Sequence, residues 1–469
     1  MKKSYKELLT NTVVFAVSSI LSKVLLMLLL PVYTNTLTPE QYGTIELATN
    51  LSLLLIPFVS FAIQDAVFRF TVDNSIDRLI VFKTSFWVLS FGGLLLGVCS
   101  IVLYFYEPLR IWRWWFWCFS VLSMFRSALC LYTKGTEHTT VFAIDGIVYN
   151  LILAVTNIVL LCFFKLRIEG YFSALIIAQS FSIIYLLWNV EKPSFRELIK
   201  LPIDSEIAKI MLLYSAPLVL NSISWNLAHT VDRIMLESMR TKADVGIYSV
   251  ASKIPSLIST IMSIFIQAWS ISAIRSYGDK DGKDFYSSVF QYVEMMLVLV
   301  TIFVLLINNH VVVLLFGSEF RQAVMYTPIL MIATSTLFYS NYFGPIFSSV
   351  KKSKLLMQTT LTGTVINVVL NYLLIARWGI YGATAATLAS NTVISFLRMY
   401  LARKIYPFKV DWFILAVGWG LIIFSCCSAM MAGEKAEVYI LCALIFAVII
   451  YRKELKVIIS QILHKLKRV

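Results

Sequence analysis

Long apolar runs, separated by short polar connections, fill this chain from end to end. Fourteen of them stand out, at roughly residues 11–33, 44–67, 82–105, 113–133, 139–164, 169–190, 211–232, 246–270, 286–309, 324–350, 355–376, 380–402, 411–431 and 435–451. A helix that crosses a bilayer needs about 20 predominantly apolar residues. The pattern therefore predicts an all-α integral membrane protein with about fourteen transmembrane helices. The connections between the runs are short and leave no stretch for a separate catalytic domain. Composition agrees: of 469 residues, 59% are hydrophobic and 14% charged, whereas a soluble domain carries about 25% charged residues. A soluble globular protein, a disordered chain and a secreted disulfide scaffold are all excluded.

The charges are placed by topology. Lys and Arg number 40 against 26 Asp and Glu, for a net charge of +14. In a soluble protein that excess would suggest nucleic acid. Here 27 of the basic residues fall on the side that carries both termini and 10 on the other, with Lys23, Arg126 and Lys253 inside spans. Cytoplasmic connections collect the basic residues, so both termini are expected in the cytoplasm, and no nucleic-acid partner is implied. The first apolar run is longer than a signal-peptide core and lacks a small-residue cleavage pattern, so it is expected to remain as a span. The seven cysteines, odd in number and without metal spacing, read as apolar fillers. Trp112, Trp114, Trp115 and Trp117 stand where a span enters the bilayer, the usual place of an aromatic belt.

A shift of 203 residues lays YGTIELATNLSLLLIPFVSFAIQ over VGIYSVASKIPSLISTIMSIFIQ. Gly43 then meets Gly246, Ala48 meets Ala251, and Gln64 meets Gln267. Further on, Gly146 corresponds to Gly363 and Gly170 to Gly382. The matches are sparse but keep their order. They predict two six-helix lobes in parallel orientation, 1–190 and 210–402, joined by a cytoplasmic linker at 191–209. Two additional spans and a basic tail follow at 403–469. Parallel repeats are a transporter plan, with the substrate at the interface of the halves.

Ionisable groups inside spans are costly and face a cavity or a partner. Lys23 lies about ten residues from either end of its span, or about 15 Å of depth, too far for a lysine stem to snorkel. Either it lines a polar cavity as a cation or it pairs between helices. The same shift sets Asn226 at the place of Lys23. Asn226, His229 and Arg233 share one helix face, and Asp232 adjoins them. His229 can change charge near neutral pH; together with Asp232 and Asp65 it is a candidate for coupling or gating. Lys253 and Arg126 lie about seven residues from a span end, so each can line a cavity or snorkel. Arg69, Lys134 and Arg275 sit at cytoplasmic span ends as topology anchors or entrance residues. Asp65, Asp145 and Glu294 are expected to pair with neighbouring Arg or Lys. Pro57, Pro217, Pro255, Pro328 and Pro345 can bend spans. No GxxxxGK, HExxH or GxSxG occurs in the chain, which argues against an enzyme and against intrinsic ATP hydrolysis. No cofactor or metal is indicated.

The run NTVVFAVSSILSKVLLMLLLPVYTNTLTPEQYG, the following FVSFAIQDAVFRF and the later VDRIMLESMRTKADVGIYSVASKI resemble the oligosaccharide flippases of bacterial polysaccharide biosynthesis, the Wzx type. Their superfamily also holds multidrug exporters of the MATE type and the lipid II flippases. The resemblance extends over the whole chain. Its best motifs are the turn from Pro31 to Gly43 and the Asp232–Arg233 pair with Gly246–Ile247–Tyr248. It implies a polyprenyl-diphosphate-linked oligosaccharide as substrate, moved from the cytoplasmic to the outer leaflet of a bacterial cytoplasmic (inner) membrane by alternating access. The products implied are O-antigen or capsule, the coupling ion H+ or Na+, and the partners membrane lipid, a polysaccharide polymerase and a chain-length regulator. Lys23 matches by position the cationic cavity residues expected in such flippases. Burial extends the substrate-binding set to Lys253, Arg126, Arg233 and Asn226. A lipid II flippase is the nearest alternative. A MATE-type cation exporter would want an acidic residue where the first span carries Lys23.

Overall fold

In the computed structural model the described residues are 25, 27–73, 76–190, 204–277, 280–350, 352–431 and 433–457. They form helices α1 Leu30–Thr36, α2 Pro39–Val59, α3 Ile63–Asp73, α4 Arg78–Val102, α5 Arg113–Gly135, α6 Thr139–Asn157, α7 Arg167–Asn189 and α8 Ser205–Met239. There follow α9 Lys242–Ala251, α10 Lys253–Ser276, α11 Gly282–Leu315, α12 Thr327–Ser349, α13 Ser353–Trp378, α14 Ile380–Ile405, α15 Trp412–Met431 and α16 Ala436–Ile450. No strand occurs among the described residues. Nine of these helices are long and apolar enough to cross a membrane, or ten if the bent pair Ser318–Met325 and Thr327–Phe347 is one span. Every expected span after the first has a helical counterpart. The first falls almost wholly outside the described residues, and with it Lys23; residues 191–203 of the expected linker lie outside them too.

Three spans that read as continuous are broken. The second divides into α2 and α3 at Ser60–Ala62, where Phe61 and Ala62 take positive φ of 52° and 50°. The eighth divides into α9 and α10 at Ser252. The tenth bends by 53° before α12. Proline explains the positions. Pro57 lies in the last turn before the first break, Pro255 is the third residue of α10, and Pro328 is the second residue of α12. A proline is tolerated in the first turn of a helix, where its missing N–H had no partner to lose. Pro217 and Pro345, by contrast, stay inside unbroken helices. The seventh span begins earlier than its apolar run, because Asp204 caps α8 by accepting from the N–H groups of Glu206 and Ile207 at 3.0 and 3.2 Å.

The chain divides into two compact units, residues 1–246 with 317–319, and the rest. In the first, α6 and α7 form a hairpin, α5 packs on α3 and α7, and α8 packs on α2. The second centres on α12 and α14, with α13 against α14 and the α15–α16 hairpin against α11. Its core is aromatic: Trp269 stacks on Tyr342 at 4.9 Å and 6° between ring planes. Three polar tips there form a chain of hydrogen bonds. Trp269 donates to the Tyr342 carbonyl, Tyr342 to that of Tyr286, and Tyr286 to that of Ala273, at 2.9, 2.8 and 2.6 Å. Buried Trp and Tyr need such partners.

The internal repeat leaves a geometric mark inside the first unit, where α2 and the start of α9 cross backbone to backbone. A Cβ on Gly43 would stand 1.8 Å from the carbonyl oxygen of Lys242, and one on Gly246 would stand 2.0 Å from that of Pro39. The 203-residue shift carries Pro39 onto Lys242 and Gly43 onto Gly246. The crossing is thus reciprocal, as at a two-fold axis, where residue i meets j and j meets i. Gly170 and Gly382 also behave alike. Each opens the second helix of a hairpin against a carbonyl of the first, Leu160 at 3.3 Å and Leu374 at 2.3 Å from the added Cβ. Two alanine substitutions should therefore have opposite signs. Gly43→Ala should lower the thermal midpoint of the detergent-solubilised protein, by about 1–3 kcal/mol of overpacking. Gly146→Ala, in open space within α6, should be neutral or raise it by up to about 1 kcal/mol of helix propensity.

Candidate functional site

Two polar nodes lie in the first unit, each built on an arginine that the sequence singles out. In the first, α5 carries Arg126, α6 carries Asp145 and Tyr149, and α7 carries Ser182. The Arg126 Nη2 donates to Asp145 at 2.7 Å and its Nε to the Ser182 hydroxyl at 2.6 Å. Ser182 in turn donates to the other carboxylate oxygen of Asp145. The guanidinium lies 3.8 Å from the centroid of the Tyr149 ring. Asp145 is 1% exposed and Arg126 21%. One turn away Gln179 donates to Ser123 at 2.5 Å. The partner expected for Asp145 is therefore Arg126, contributed by the neighbouring helix.

The second node is where α8 meets α2. The Nε of Arg233 is 3.6 Å from Glu46, and Asn50 donates to the same carboxylate at 3.3 Å. Asn226, two turns earlier on α8, donates to the backbone oxygen of Leu53 at 2.7 Å, latching one helix to the other. Tyr42 hydrogen-bonds Glu46. Its ring lies 6.3 Å from Tyr33, which meets Tyr171 edge-on at 5.1 Å. Tyr33 is also within electrostatic reach of Tyr149 and Glu46. Four tyrosines thus lie between the two arginine–carboxylate pairs. Each arginine has its charge compensated nearby, which leaves hydrogen-bond donors and acceptors and aromatic faces as the binding chemistry of this strip.

The remaining candidates are dispersed. Asp232 is buried beside Arg233 in sequence. Asp65 is half-buried in the first turn of α3, whose N-terminus favours a carboxylate. Arg69 is exposed on α3. Lys134, exposed at the end of α5, has its ammonium 5.4 Å from the Phe68 ring and 5.9 Å from Phe142. Lys253 is half-buried as the first residue of α10, at the break after α9. The backbones of His229 and Arg275 belong to α8 and α10, and their side chains lie outside the described part of the structure. Outside the bilayer segments, the half-buried Tyr106 donates to Glu237 at 2.7 Å, and burial together with that carboxylate pushes its phenol well up.

Sequence reading passed over Glu46, the tyrosines and Arg398. Tyr42, Glu46 and Asn50 are spaced by four and share one face of α2, a signal masked by their closeness to a span end. Arg398, on α14 in the second unit, is 7% exposed. It gives hydrogen bonds to Thr359, Thr360, Leu356 and Ser340 at 2.8–3.4 Å, neutral acceptors on α12 and α13. Lys83, on α4 in the first unit, is likewise 7% exposed.

Comparison with known proteins gives consistent relatives. Residues 8–271, more than half of the chain, match the family described as polysaccharide biosynthesis protein, and residues 217–373 match the MatE family. The probable low-salt glycan biosynthesis flippase Agl15 of Haloferax volcanii is 22% identical over 276 residues, 58% of this chain. That match spans 56% of the relative's length, little more than half. Among solved structures, an inward-facing MATE family multidrug resistance transporter of the MOP superfamily aligns with TM-score 0.69 at 13% identity, covering 83% of this chain and 98% of its own. The lipid II flippase MurJ, in an inward closed conformation, aligns with TM-score 0.67 at 13% identity over 95% of this chain and 100% of its own. These likenesses establish the fold of a multi-pass membrane transporter.

The first node makes a quantitative prediction. Removing one member of a buried pair leaves an uncompensated charge, at about 3–5 kcal/mol. Asp145→Ala should destabilise the protein by about 3 kcal/mol, and Arg126→Met combined with Asp145→Ala should be milder than that single change. A double-mutant cycle on thermal unfolding reads the coupling; additive losses would show that the pair contributes nothing.

Proposed function

The chain belongs to the polysaccharide biosynthesis protein family, and from that membership we propose that it is a flippase for lipid-linked glycan precursors. The observation that carries the reading is the family match over residues 8–271, on a chain folded as a membrane transporter. The cargo in this reading is an oligosaccharide repeat unit on polyprenyl diphosphate. It moves from the cytoplasmic to the outer leaflet of the bacterial cytoplasmic membrane by alternating access, for O-antigen or capsule assembly. Both termini then face the cytoplasm, as the distribution of basic residues requires. The protein transports and does no bond chemistry. H+ or Na+ is the proposed coupling ion, and a polysaccharide polymerase with a chain-length regulator takes the product.

The parts of the substrate suit different residues. A diphosphate is a strong anion and needs an uncompensated cation in a low-dielectric setting. Arg126 and Arg233 already face carboxylates, so in this reading Lys23, deep in the first span, carries the anion. A sugar offers hydroxyls and apolar ring faces. Tyr33, Tyr42, Tyr149 and Tyr171, with Asn50 and Asn226 beside them, provide matching surfaces. The lipid chain stays in the bilayer while only the head group crosses.

In cells that depend on this chain for surface polysaccharide, Lys23→Ala at equal expression should lower export of the lipid-linked glycan at least tenfold, and Lys23→Arg should retain most of it. Export by the alanine variant at the parental level would remove Lys23 from the mechanism. Rescue of cells deprived of their lipid II flippase would instead assign the peptidoglycan precursor as cargo.

A further inference from the structure

Two cavities in the second unit meet along α14. The inner one has a volume of about 540 Å³ and lies among α11, α12, α14 and α15. Phe290, Phe343, Phe396 and Trp419 give it aromatic walls. Thr336, Thr392 and Ser395 line it as well, but their hydroxyls are spent. Thr336 donates to the Ala333 carbonyl and Thr392 to that of Leu388, each at 2.7 Å, and Ser395 donates to that of Thr336. What these residues offer the cavity is methyl and methylene surface.

The outer cavity, of about 470 Å³, shares Phe396 and Met399 with the inner one, so the two adjoin across these side chains. Its rim is different in kind, with Tyr400, Arg403, Lys404 and Trp412. The Arg403 guanidinium stands 5.2 Å over the Trp412 ring, and its buried Nε has no hydrogen-bond partner. Among the described residues neither Arg403 nor Lys404 is paired with a carboxylate. Phe396 and Tyr400 are 62% and 66% exposed, on a face that meets lipid in a bilayer. From two cations unpaired among the described residues, at an aromatic rim, the lining therefore passes to a chamber that is apolar but for the Tyr339 hydroxyl.

We propose that this path holds one anionic phospholipid of the membrane, with its phosphate between Arg403 and Lys404 and one acyl chain running past Phe396 and Met399 into the chamber. Basic residues at a membrane surface attract anionic head groups, and a void of this size inside a close-packed protein calls for apolar filling. A glycan carrier fits less well. Its phosphates bear a bulky polar group, for which the rim beside Pro407 and Trp412 offers few polar partners beyond the two cations. The bound lipid bridges α14 and the start of α15 within the second unit.

The test uses the delipidated full-length protein in detergent, titrated with phosphatidylglycerol or phosphatidylcholine of identical chains and read by native mass spectrometry. The wild type should prefer phosphatidylglycerol. Arg403→Ala with Lys404→Ala should bind it about thirtyfold more weakly, the factor that two basic contacts to an anionic lipid supply. Thr392→Trp, which fills the chamber, should weaken both lipids alike. Equal binding by the wild type and the double alanine variant overturns the proposal. So does unchanged binding by Thr392→Trp, or a co-purified lipid whose mass is that of a polyprenyl diphosphate. Should the tryptophan variant fail to fold, the charge variants, at the rim, decide alone. No arm reads transport, so failure here leaves the flippase reading untouched.

Discussion

Hydrocarbon supplies no hydrogen bonds and little screening, so a charge carried into the bilayer must be answered by the protein itself. The paired arginines of the first unit obey this closely. Arg126 gives its guanidinium to Asp145, Ser182 and the face of Tyr149, and Arg233 faces Glu46. Each pair ties helices that are distant in sequence: α5 to α6 and α7, and α8 to α2. Arg398 meets the same demand in the second unit by another route, donating only to neutral oxygens on α12 and α13. Its charge is solvated by hydrogen bonds, and among the described residues no carboxylate pairs with it.

That distinction bears on substrate recognition. A compensated arginine presents donors and a planar surface but little net field, which suits hydroxyl groups and sugar rings. An uncompensated cation presents a field that a diphosphate can use. In the first unit the tyrosine strip between the two arginine–carboxylate pairs presents hydroxyls and ring faces, the kind of surface the proposed sugar cargo would need.

Much of the fold was legible in the sequence, because hydrophobic length is a strong signal when water is absent. Every expected span after the first has its helix, and Gly43 and Gly246, which the 203-residue shift pairs, meet in a reciprocal backbone crossing. Continuity was harder to read. Apolar runs do not show where a helix breaks, and only the structure places Pro57, Pro255 and Pro328 at the divisions while Pro217 and Pro345 sit in unbroken helices. The site was legible in part. Arg126, Arg233 and Asn226 all join nodes of the first unit, but Glu46 and Arg398, close to span ends, were passed over. Depth along a helix was readable; which neighbour a side chain meets depends on packing between helices far apart in sequence, as with Glu46 and Arg233.

The flippase reading is tested most directly in vesicles that contain the purified protein and a fluorescent polyprenyl-diphosphate oligosaccharide confined to one leaflet. A membrane-impermeant quencher then reports the fraction that has crossed. Protein-dependent crossing, competed by unlabelled lipid-linked glycan and not by cationic drugs, is the expected result. Crossing no faster than in empty vesicles, with every coupling gradient supplied, would contradict the account.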